Sequence, residues 1–149
     1  MIERLQTEIK RLWAAIEALR AMPLPKFVPL TTPLTSTSWD GDAYSTTGKT
    51  LIDLSAVFGA PAGIKAIAVI IACRDSGSAG TGGLYFLVSP NITTGQGAVT
   101  LRISGVTNDE YRDTAGVCPC DSNGDIYYQI TASGALTMDC FITIWGYWL

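Results

Sequence analysis

Three stretches of this chain hold the side chains from which chemistry would be built. "DSNGD" sets Asp121, Asn123 and Asp125 around a glycine, an oxygen-rich pattern like the start of a calcium loop. An EF-hand also needs a bidentate glutamate at position twelve, and Ala132 stands there. The plainer reading is a tight turn in which Asn123–Gly124 supplies positive φ angles, leaving at most a weak cation loop. The second stretch clusters Asp109, Glu110 and Asp113 beside Tyr111. Paired carboxylates serve glycoside hydrolysis, but adjacent ones in a single loop more often form a solvated turn.

The third stretch, "IWGYWL", ends the chain with Trp145, Tyr147 and Trp148. Strict alternation puts Trp145, Tyr147 and Leu149 on one face, and Ile144, Gly146 and Trp148 on the other. Such aromatics either stack on sugars or fill a subunit interface, and two apolar faces favour the interface.

The absences narrow the chemistry further. The chain has no histidine, so the commonest general base and any Ser-His-Asp triad are missing. Its four cysteines, Cys73, Cys118, Cys120 and Cys140, include a C-x-C pair rather than the C-x-x-C of zinc ribbons and redox motifs. They read as small, reduced, buried hydrophobes. The glycine stretches "GTGG" and "GAPAG" lack the lysine of a phosphate loop. We expect no enzyme, no cofactor and no metal.

The elements that must position these residues fall into three parts. In residues 1–21, Ile2, Leu5, Ile9, Leu12, Ile16 and Leu19 recur at spacings of 3, 4, 3, 4 and 3. Isoleucine fills every a position and leucine every d position, as in a coiled-coil seam. Trp13 at e and Ala15 at g widen that seam. A period of 3.5 held without a slip favours self-association over a helix lying on its own sheet. Arg4–Glu8 and Glu17–Arg20 are expected as solvent-side pairs. Residues 22–37 carry four prolines and predict an extended neck.

From residue 38 to 149, β-branched and aromatic runs alternate with glycine- and Asx-rich turns. They predict strands at Ser38–Ser45, Thr50–Leu54, Ile64–Arg74, Gly83–Ser89, Ala98–Ile103, Tyr111–Cys118, Ile126–Thr131 and Leu136–Leu149. The expected fold is mainly β: an antiparallel β-sandwich or jelly-roll head preceded by a short helical coiled coil. "IKAIAVIIAC", apolar at every other residue and between, predicts a central strand covered on both sides.

Composition supports an assembling protein. Of 149 residues, 48% are hydrophobic and only 15% charged, and the mean hydropathy is +0.27. The first twenty residues carry four basic and three acidic side chains and the remainder six and ten, so no basic stripe awaits nucleic acid. The longest apolar run has eight residues, against about 20 for a membrane span. Charges interrupt the first twenty residues, so no signal peptide is read there, and the expected site of synthesis is the cytoplasm.

A helical zipper ("IERLQTEIKRLWAAIEALR"), a proline neck, the stretch "DSNGDIYYQI" and the aromatic end "DCFITIWGYWL" together resemble bacteriophage virion proteins. The similarity is to trimeric head fibres, capsid decoration or cement spikes, and short tail-fibre tips. It covers the whole chain as an architecture and carries no catalytic motif. Ile at a with Leu at d would suit a parallel dimer, but the resemblance implies a homotrimer in the virion, with helices on the threefold axis and other virion proteins, capsid or tail, as partners. With no plug domain read ahead of the zipper, we expect a capsid spike first. The alternatives are a receptor-binding tip for host-surface glycan, and then a small glycan-cleaving depolymerase.

Overall fold

In the computed structural model, which describes residues 2–149, the chain opens on helix α1 (Ile2–Ala21). Pro23 and Pro25 end it, because each lacks a backbone donor and forces the preceding residue into extended geometry. No residue of α1 is buried, so the apolar stripe has no cover within the chain. The solvent-side pairs are Glu8–Arg11 and Glu17–Arg20, both at 3.3 Å. Glu8 thus turns to Arg11 rather than to Arg4, which keeps the acid N-terminal to the base, the orientation that the helix dipole favours.

The prolines of residues 22–37 mark more than a neck. Strand β1 (Phe27–Leu34) forms within them and pairs antiparallel with the end of the chain. Hydrogen bonds between Lys26 and Leu149, at 3.3 and 3.0 Å, continue that ladder. Pro29 and Pro33 are tolerated because β1 is an edge strand, where one side of the backbone needs no ladder donor. The β fold therefore begins at Phe27, ahead of residue 38.

Eight further strands follow: β2 (Asp40–Tyr44), β3 (Thr47–Ile52), β4 (Ala66–Asp75), β5 (Tyr85–Ser89), β6 (Val99–Arg102), β7 (Arg112–Pro119), β8 (Ile126–Thr131) and β9 (Met138–Trp148). Each matches a strand read from periodicity to within a few residues. They form two antiparallel sheets. One runs β1-β9-β4-β7, with β2 pairing the first half of β9; the other runs β3-β8-β5-β6.

A second helix, α2 (Leu54–Phe58), was not anticipated from the period, because five residues make little more than one turn. Its signals are local. The Asp53 side chain caps it by accepting from Ala56 N–H, and Gly59 closes it at φ 69°.

One contiguous core draws from both sheets, including Ile67, Val69 and Ile71 of β4, Phe86 and Val88 of β5, and Ile142 of β9. Trp39 anchors it, stacked on Phe86 at 5.8 Å and on Tyr44 at 4.7 Å between ring centres. Cys73, Cys118 and Cys140 are buried, and all four thiols are free. Burial pushes the Cys73, Cys118 and Cys120 thiols up to about 12, so they are protonated hydrophobes at neutral pH.

One expectation is corrected here. Burial along β4 alternates strictly: Ile67, Val69, Ile71, Cys73 and Asp75 are buried, while Ala66, Ala68, Ile70, Ala72 and Arg74 are half-exposed. The strand is central in its sheet but covered on one side only.

A candidate interaction surface

That uncovered side gives the head an open apolar face. Register places Ala68 beside Val117 of β7, and Ile70 beside Ala115. On the other flank Ala66 faces Trp148, and Ala68 faces Gly146. The register then slips, with Val69 opposite Ile144, which leaves Trp145 as the extra residue of a β-bulge. The bulge overturns the alternation read from "IWGYWL". Trp145 is 42% exposed and Trp148 also lies on the open face. Tyr147, opposite buried Ile67, packs against the core instead. A single inserted residue reverses the phase of everything after it.

Glycine at position 146 lets the Phe27 side chain of the edge strand β1 fold over β9. A Cβ at that position would sit 2.5 Å from the ring. The Phe27 ring meets Trp148 at 4.5 Å. An open groove of about 520 Å³ then runs between Leu24, Pro25, Lys65, Ala66, Val117 and Trp148, joining the neck to the sheet. A second depression of about 230 Å³ is lined by Ala68, Val69, Ile70, Ala115, Gly116 and Trp145. From Ala66 to Ala72 the outward positions of β4 carry no charge. Ionic groups stand at the two ends of the strand: Lys65 beside the groove, and at the far end Asp113 opposite Ala72 and Arg74, which bonds Asp139 at 2.7 Å and lies 4.8 Å over the Tyr111 ring.

The other sheet covers the middle of its outer face with its own loop. Leu87 is 1% exposed there although it stands outside the shared core. The β5–β6 loop is tied down by Gly95 N–H to Gln129 at 2.8 Å and by the Lys49 ammonium to the Gln96 carbonyl at 2.7 Å. Burial lowers the Lys49 pKa. Leu51 and Thr100 stay exposed at the flanks of that loop.

The carboxylate groups have local work. Asp121 Oδ1 accepts Asn123 N–H at 2.8 Å and Asp125 N–H at 3.0 Å, closing its own turn. Asp125 Oδ1 accepts Leu54 N–H at 3.0 Å, which joins that turn to the start of α2. Gly124, at φ 91°, presses against Gly63. The oxygens proposed as a cation loop therefore serve backbone amides, and no cluster of three metal-ligating side chains exists among the described residues. In the second acidic stretch Glu110 pairs with Arg112 at 2.6 Å.

A carboxylate that sequence reasoning passed over is the most constrained of all. Asp75, at the end of β4, is 0% exposed. Its oxygens accept from Gly77 N–H (2.8 Å), Ser133 N–H (3.0 Å), the Thr137 hydroxyl (3.0 Å) and the Ser133 hydroxyl. Burial by itself would raise its pKa, but these donors outweigh it and hold the carboxyl below the usual range. Its backbone carbonyl also accepts Asp109 N–H at 3.0 Å. Asp75 thereby ties three loops together at the end of the head away from the neck. The adjacent Ser-Gly-Ser was a turn signal, but nothing local marks the aspartate as buried.

The arrangement offers an apolar platform and a set of structural carboxylates. Among the described residues no helix is long and apolar enough to cross a membrane. No protein-family model matches the chain, and no curated protein matches it.

Proposed function

We propose that this chain is a non-enzymatic virion component, a homotrimeric capsid decoration, cement or head-fibre spike that stabilises or decorates the shell. The observation that carries the reading is the stripe of α1, with Ile2, Leu5, Ile9, Leu12, Trp13, Ile16 and Leu19 all exposed to solvent in the single chain. A helix of this length holds poorly alone, and its unpartnered 3.5-residue seam is best satisfied by copies of itself. The strand order supports a jelly-roll head: β2-β9-β4-β7 opposite β3-β8-β5-β6 is the pairing that two interlocked Greek keys produce. On this reading the spike acts by multivalent contact with other virion proteins. Imaging of virions with the chain labelled tests it. Label on the shell, with heads lacking the chain less stable, is the expected result; a chain monomeric at about 100 μM, where even weak specific pairs associate, would sink it.

A second reading is a tail-fibre or baseplate tip that recognises host-surface glycan. It is favoured by exposed Tyr111 and by exposed Leu136, which holds φ 52° in the turn before β9, at the end of the head away from the neck. Label at the tail, with purified protein blocking adsorption, would select it.

A further inference from the structure

We infer that the open face of the β1-β9-β4-β7 sheet is buried between copies of this chain, continuing below the helices the interface that α1 begins. The inference rests on the self-association proposed above and extends it from the helix to the head.

Continuity is the first argument. Leu24 and Pro25, the residues that lead out of α1, line the same groove as Trp148 and Val117. Copies zipped through α1 would bring their necks together, and with them the faces that the necks adjoin.

Charge is the second. Burial between copies would strand any charge that finds no partner across the interface, so an uncharged face suits such burial. Between Lys65 and Arg74 the outward residues of β4 are alanine and isoleucine. Their neighbours Val117, Ala115, Gly146 and Trp148 are equally neutral, and the first charge towards the far end is Asp113 of β7, opposite Ala72.

Size is the third. Four strands spaced about 4.8 Å apart, over about six residues at 3.3 Å each, present roughly 400 Å². A helical stripe about 30 Å long and about 10 Å wide adds roughly 300 Å². A standard specific interface buries about 800 Å² on each partner. Neither part reaches that size alone, and together they approach it. Leu87, closed off at 1% exposure on the outer side of the other sheet, shows that this chain can cover apolar strand surface with its own loop.

Sedimentation of the full chain over a range of concentrations tests the proposal, with Val117→Glu/Trp145→Glu as the variant. Both positions are exposed in the single chain, at 51% and 42%, so the monomer fold tolerates the charges. Thr100→Glu, on the exposed side of β6, is the control. The expected result is wild-type and control oligomers, with association of the double variant weakened at least about 100-fold, since unpaired charge would be buried. If near-UV circular dichroism shows the double variant unfolded, Ala115→Glu on the edge strand β7 takes its place, with the same expectation. A face variant that assembles as tightly as the control overturns the inference while leaving the zipper reading intact. A face variant that keeps the oligomer but no longer binds shells or host cells also overturns it, assigning the face to another partner. A monomeric wild type ends both readings.

Discussion

Replacing Asp75 by alanine should destabilise the head more than any surface change, by an amount that follows from its partners. The Gly77 and Ser133 N–H groups lose their acceptor. A stranded buried donor costs about 1–3 kcal/mol. The two hydroxyls have other uses: Ser133 reaches Thr137 at 3.1 Å, and Thr137 reaches the Gly134 carbonyl at 3.2 Å. Relief from burying a carboxylate offsets part of the loss, leaving about 3 kcal/mol net. In a chain of this length that lowers the melting temperature by about 6–12 °C. Far-UV circular dichroism at a single fixed protomer concentration measures it, since assembly also shifts melting.

The pH dependence supplies a second check. Because the folded-state pKa of Asp75 is depressed, its stabilisation is present above the unfolded value of about 3.9 and lost as pH falls through the folded value. The gap between wild type and Asp75→Ala should therefore be full at pH 6–7 and shrink below about pH 4. Melting within about 1 °C of wild type at pH 7, well inside the shift expected for stranded donors, would refute the argument. So would a gap that stays constant through the acid range.

Three other outcomes are expected. Gly124→Ala forces a Cβ to within 2.8 Å of Gly63 N at φ 91° and should cost about 2–4 kcal/mol by urea unfolding, whereas Gly80→Ala, with open space around it, should cost far less. Ile9→Asn/Leu12→Asn should weaken assembly by sedimentation while the β signal of the head is kept, because α1 buries nothing in its own chain. Native thiols should react slowly with a disulfide reagent at pH 7, half-buried Cys120 first; rapid labelling of all four would contradict their burial.

Much of the architecture was legible because its causes are local. Periodicity two found eight strands, the prolines stopped α1 at Ala21, and the glycine and Asx turns fell where strands reverse. The strand inside the proline stretch was not legible, because proline argues against a strand unless an edge is available, and edges are made only by pairing. The short helix α2 needed its caps to be weighed above its length.

The candidate surface divides in the same way. Composition and the 3.5-residue seam established that this chain carries apolar surface it does not bury by itself, since 15% charged residues cannot coat it. Which surface stays open was decided by tertiary structure. Alternation cannot register a bulge, so only the pairing of β9 with β4 put Trp145 and Trp148 outward and sent Tyr147 to the core. Only packing showed that β4 is covered on one side, with Ile67, Val69 and Ile71 in the core shared by the two sheets and Ala66, Ala68 and Ile70 left half-exposed. Asp75 is the sharpest case. A lone aspartate at a strand end reads as solvent-facing until its own turn and the distant β8–β9 loop supply the donors that enclose it.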